Sequence, residues 1–297
     1  MTKLFKINKY LTLIIFFFSL ICLAFSSQKI DLAFTNLICF FLVLTIGVSH
    51  GSLDHLKGYK VLKLYKIKYK FLFYLTYILI SLMVILLWAI YPLIILSLFL
   101  LIASYHFGRE DSSFVKIHKH NFTNFYFLLK GSLVVLAPLW TNPEETIKIF
   151  EILNVKLKIF NSDVILILIG TSLLSNFLIS KNIVIGLLDS FSIILFNLTF
   201  SPLVAFTLYF CFLHSVRHTL SSVEEMNCKN FTKGLGSFIK KALPLTLMTA
   251  ILFVVSVYIL RGYYILDNAI LKVIFIGLAS LTFPHILLEY IIEKNEK

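Results

Sequence analysis

Ten apolar runs divide this chain, at residues 10–25, 32–50, 71–90, 92–106, 122–140, 164–179, 183–200, 202–220, 243–260 and 270–292. A bilayer's hydrocarbon core is about 30 Å thick, and a helix crosses it with about 17 to 25 mostly apolar residues. In lipid every backbone N–H and C=O must find its partner inside the protein, and a helix achieves this within one segment. The expected fold is therefore all-α, a polytopic transmembrane bundle of about ten helices that forms one integral membrane domain over residues 1–297. Composition agrees, because a chain that is 59% hydrophobic and 14% charged, with mean hydropathy +0.92, cannot cover a water-soluble domain. The longest loops, near 141–163 and 219–242, are too short to fold alone. Lys3, Lys6 and Lys9 before the first run and Ala24-Phe25-Ser26 after it also have the outline of a secretory leader. An uncleaved first helix is expected, since a multispanning protein can use its first span for insertion.

The net charge of +12 comes with no nucleic-acid-binding motif, so no nucleic-acid partner is expected. Lysine and arginine collect instead in cytoplasmic loops. With the N-terminus inside, nineteen of the 27 fall in cytoplasmic segments and six in external ones, while Lys130 and Arg217 lie within spans. Both termini are thus expected in the cytoplasm, and the chain in the cell's inner (plasma) membrane as a multi-pass protein. Cys22, Cys39, Cys211 and Cys228 form no CxxC pair, which argues against a disulfide framework, an iron–sulfur cluster or a structural zinc site. The chain also lacks GxGxxG, P-loop, CxxCH and GxSxG patterns, the signatures of bound nucleotide, c-type haem and an acyl-transfer nucleophile.

Eight histidines remain to be explained, and His50, His106, His214, His218 and His285 fall within or at the end of apolar runs. There an unsatisfied ionisable side chain costs about 2.5 kcal/mol or more. On the ten-run topology all five lie on even-numbered helices running inward, which places their imidazoles at one depth in the cytoplasmic third of the membrane. Residues four apart on a helix share a face. His214 and His218 can therefore grip one ion, while Asp54, Glu110 and Glu289 follow His50, His106 and His285 at the same spacing. Each carboxylate is placed to accept a hydrogen bond from the imidazole N–H that faces away from a metal. Gly108 makes the Glu110 contact the weakest of these, because a glycine can end the helix first. Arg217, between two candidate ligands, is expected to pair with Asp54 or Glu110. His55 is a further candidate to support the site or to add a ligand, although it and Asp54 also read as interfacial residues at a helix end, and His118 and His120 in KIHKHN read as solvated loop residues. Neutral imidazoles suit iron, zinc, copper or nickel. A polyhistidine site reached from lipid suits a redox metal acting with O2 on a hydrophobic substrate, although zinc hydrolysis is open on ligand type alone.

HGSLDH at 50–55, YHFGRED at 105–111, HSVRH at 214–218 and FPHILLE at 283–289 resemble the four signature blocks of the Brp/Blh membrane proteins. The resemblance runs from about residue 32 to 292. It implies an Fe(2+)-dependent, non-haem β-carotene 15,15′-dioxygenase that cleaves the central double bond of β-carotene with O2, giving two molecules of all-trans-retinal. It further implies iron ligands at His50, His106, His214 and His218, a role in the site for His285, and a retinal-binding rhodopsin as a functionally coupled consumer. Aromatic side chains among the 30 Phe and 14 Tyr would hold the polyene in a tunnel between helices. Two other classes fit the residues: a di-iron carotenoid hydroxylase or desaturase with bridging carboxylates, and a transporter moving protons or metal through its histidines. The missing HxxHH blocks count against the first, and the absence of an internal repeat counts against the second.

Overall fold

The structure, a computed structural model, describes residues 3–25, 34–115, 117–118, 121–226 and 231–296. Within these residues the chain forms eleven helices, and one antiparallel bridge joins Ile117 to Ser180. In chain order they are α1 (Lys3–Phe25), α2 (Thr35–Leu64), α3 (Phe71–Ile90), α4 (Pro92–Ser113), α5 (Thr123–Thr141), α6 (Pro143–Ile152), α7 (Ser162–Ile179), α8 (Ile183–Thr199), α9 (Pro202–Glu224), α10 (Phe231–Leu260) and α11 (Leu266–Glu296). Nine of these are long and apolar enough to cross a membrane, so the described residues form a polytopic helical bundle. The remaining expected span, the run at 183–200, is α8, which has 17 residues and a length of about 25 Å, slightly under the hydrocarbon thickness. The amphipathic α6, PEETIKIFEI, has no counterpart among the ten runs.

Proline opens α4, α6 and α9, where its missing N–H costs nothing. Two helices then run further than the apolar pattern suggests. Helix α2 does not stop at His50: it loosens through a π-turn at Val43–Gly47, tightens through a 3₁₀ stretch at Val48–Leu53, then continues as α-helix to Leu64. HGSLDH therefore lies inside the bundle rather than at its edge, where buried Ser52 bonds the Thr246 hydroxyl of α10 at 2.7 Å. Helix α4 likewise passes through Gly108 to Ser113. A Cβ on Gly108 would stand 1.8 Å from the Phe127 carbonyl oxygen, and one on Gly131 would stand 1.8 Å from that of Ser104. These glycines let the α4 and α5 backbones touch, so Gly108 marks a helix crossing and not a helix end.

Helix α11 packs against α2, α3, α4 and α10, whereas α1 lies along α8 on another flank. The polar interior falls between these two groups. It receives α2, α4, α9 and α11, the four helices that carry the intramembrane histidines.

Candidate metal centre

The five intramembrane imidazoles converge. His50 lies 5.4 Å from His214, 5.2 Å from His218 and 5.6 Å from His285, measured between ring centroids. His106 lies 5.3 Å from His214 and 5.2 Å from His285, and His218 lies 5.6 Å from His285. Four are buried, His214 completely, and His50 is half-buried. Both π-turns sit where these side chains are aimed: one precedes His50 by three residues and the other, Tyr209–His214, ends on a ligand candidate. Such turns recur at functional sites because an extra residue per turn re-aims the side chains beyond it.

Buried polar atoms are almost always hydrogen-bonded. Here the His106 Nε2, both His214 nitrogens, the His218 Nδ1 and the His285 Nε2 have no hydrogen-bond partner. Ligand atoms of His106, His285 and Glu289 also lie within 4.8 Å of one another. Glu289 Oε1 approaches His218 Nε2 at 3.5 Å and His285 Nε2 at 3.7 Å, and its Oε2 approaches His106 Nδ1 at 3.5 Å. Lys57 Nζ meets the same carboxylate at 3.1 Å. A knot of imidazole nitrogens with one inward carboxylate fits a first-row divalent metal.

The carboxylates behind the imidazoles differ from the i+4 expectation. Asp54 does not serve His50. Its two oxygens accept from His285 Nδ1 at 2.9 and 2.8 Å, and its Oδ2 also accepts from the Tyr77 hydroxyl at 3.0 Å. The cause is the 3₁₀ stretch: at three residues per turn, four residues rotate Asp54 by about 120° from His50 instead of the α-helical angle of about 40°. His50 Nδ1 donates instead to the Gly47 carbonyl three residues back, with the Ser215 hydroxyl 3.3 Å away. Glu110 does not serve His106 either. It lines an open hollow with Arg109, Ser113, Phe127 and Lys181, while Glu289 of α11 reaches His106 from the side. The His285–Glu289 pairing forms, but on the inward Nε2 rather than behind the ring. His55 bonds the Ser52 carbonyl at 3.0 Å and stacks edge-on to Tyr59, outside the cluster. His118 is exposed, and His120 lies outside the described residues.

The family model for β-carotene 15,15′-dioxygenase matches residues 41–293, which include all five imidazoles. The chain belongs to that family. One member, the β-carotene 15,15′-dioxygenase of uncultured marine bacterium 66A03, is 29% identical over 257 residues, spanning 83% of this chain and 90% of that protein. No solved structure matches the chain.

A buried charged group lies behind His214. Arg217 pairs with neither Asp54 nor Glu110. Its Nη2 bonds Asp189 Oδ1 at 2.6 Å and its Nη1 faces Asp111 Oδ1 at 3.3 Å. Asn8 accepts from its Nε at 2.8 Å and the Thr12 hydroxyl accepts from its Nη2 at 2.9 Å. Lys130 Nζ stands 3.9 Å from Asp189 Oδ2, which balances two buried carboxylates with two cations. Asp111 ends the YHFGRED block, so its presence is visible in the sequence. Its direction is not, because neither Asp111 nor Asp189 stands at i+4 from a histidine. Phe107 and Phe210 pack against His214, and Phe206 and Phe275 extend this aromatic wall.

Proposed function

We propose that this chain cleaves β-carotene at its central 15,15′ double bond with O2 to give two molecules of all-trans-retinal, using Fe(2+) held by His50, His106, His214 and His218. The observation that carries this reading is the convergence of five intramembrane imidazoles, most with an unpartnered ring nitrogen, in a member of this dioxygenase family. Bound ferrous iron would supply the redox chemistry that lets O2 react with the polyene.

The protein's own share is orientation. The Gly47 carbonyl can only accept, so His50 Nδ1 carries its proton and Nε2 keeps its lone pair for a metal. Asp54 does the same for His285, and the Tyr77 hydroxyl holds Asp54. That arrangement makes His285 a further donor aimed at the centre. Glu289 supplies the one negative charge among the inward atoms. The wall of Phe107, Phe210, Phe206 and Phe275 offers flat apolar faces for the polyene and keeps water from the buried rings. Of the carboxylates a di-iron hydroxylase would need as bridges, Asp54 is held behind His285 and Glu110 faces the open hollow, which favours one ion. The lysine-rich loops support cytoplasmic termini in the inner membrane, where lipid delivers the carotene and a retinal-binding rhodopsin would consume the product.

Expression in a carotene-accumulating bacterium tests the reaction. Loss of orange colour with retinal in the extract, and one iron per purified chain, is the expected result. Intact, hydroxylated or desaturated carotene, or two irons per chain, would sink the reading.

A further inference from the structure

Behind the cluster, His214 Nδ1, a buried atom without a hydrogen-bond partner, stands 3.9 Å from Asp111 Oδ1, which Arg217 Nη1 also faces at 3.3 Å. Asp111's other oxygen is already fixed by the Tyr209 hydroxyl at 2.8 Å. The remaining force on Asp111 comes from Arg217, whose guanidinium presents five donors in a rigid fork and must find acceptors for them in a low-dielectric interior. Helix α1 supplies two of those acceptors, Asn8 and Thr12, and the Thr12 hydroxyl also donates to Asp189 at 3.0 Å. Asn8 is 1% exposed and Thr12 is 0% exposed, although both occupy a helix whose outer face is apolar. The match to the family begins only at residue 41, so α1 lies wholly outside it.

We propose that Asp111 orients His214 toward the metal, and that Asn8 and Thr12 of α1 are positioning residues that hold Asp111 in place through Arg217 and Asp189. Without the two α1 acceptors, the guanidinium turns toward the carboxylates that remain to it and draws Asp111 off the His214 axis. The first helix is then a working part of the site and more than a membrane anchor. The inference rests on the reading of His214 as a metal ligand.

The test uses the full chain in detergent with cobalt(II) as the probe, recording both affinity and the visible spectrum. The Asn8→Leu/Thr12→Val variant is expected to bind cobalt about 10- to 100-fold more weakly, the range for groups that orient a ligand, with a shifted spectrum and unchanged helix content. Thr12→Ser, which keeps the hydroxyl, should match the wild type. Because the effect passes through Asp111, the double variant should lose little more in an Asp111→Asn background. Wild-type affinity and spectrum in the double variant, or losses that simply add to that of Asp111→Asn, would overturn the proposal. If the double variant does not fold, Thr12→Val against Thr12→Ser carries the same comparison. Wild-type protein that binds no cobalt would overturn the metal reading itself, whereas wild-type binding with unaltered variants overturns only the role of α1.

Discussion

Asp54 follows one histidine by four residues and bonds another, and that difference sets what its removal should do. Asp54→Asn keeps the size of the side chain but offers His285 a single carbonyl acceptor. Iron affinity or cleavage is expected to fall roughly 10- to 100-fold with the fold retained, and His285→Ala should add little to it because both act on one donor. Tyr77→Phe removes one hydrogen bond to Asp54, a contribution of about 1 kcal/mol, and should have a milder effect in the same direction. His50→Ala, His106→Ala, His214→Ala and His218→Ala should each abolish retinal formation and lower bound iron. The two glutamates separate cleanly: Glu289→Gln should weaken iron binding, whereas Glu110→Gln, facing the open hollow, should behave as wild type. Iron per chain beside retinal formed per minute reads every variant, and full iron occupancy in His214→Ala would remove His214 from the site.

Among the helices, the irregular turns matter as much as the regular ones. Helix α2 passes from π-turn to 3₁₀ to α within a dozen residues, and that succession rotates His50 and Asp54 onto different neighbours. The α4–α5 crossing is the opposite case, a regular contact with no slack. Gly131→Ala would bring a methyl against the Ser104 carbonyl, which is backbone and cannot rotate away. A loss of at least about 1 to 3 kcal/mol is expected, seen as a lower inactivation temperature in detergent. Gly236→Ala is the control, because nothing lies within 4 Å of its added carbon and alanine favours helix by about 1 kcal/mol. Equal stability of the two variants would mean that the α4 and α5 backbones do not meet as described.

Across the whole molecule, the side of each terminus depends on α8. Nine spans would place the N- and C-termini on opposite faces, and ten place them together. Helix α8 is 17 residues long, but it carries α1 along its length and contributes Asp189 to the buried charge group. We expect it to cross, with a few flanking residues making up its length. Reporter fusions at the two ends should then both be active in the cytoplasm, and activity on opposite faces would remove α8 from the spans.

The apolar runs by themselves determine an all-helical membrane bundle, because in lipid a long apolar segment satisfies its own backbone polar groups only as a helix. The five intramembrane histidines were legible for a related reason: an ionisable side chain at that depth needs a cause. Which carboxylate stands behind which imidazole was decided only by tertiary structure. Spacing of four says that two side chains share a face, but not what the next helix brings to that face. A 3₁₀ stretch turned Asp54 toward α11, Glu289 of α11 reached His106 before Glu110 did, and α1 and α8 delivered Asn8, Thr12 and Asp189 to Arg217 from distant parts of the sequence. Contacts between segments far apart in the chain arise from packing, and packing leaves no period in the sequence from which to read them.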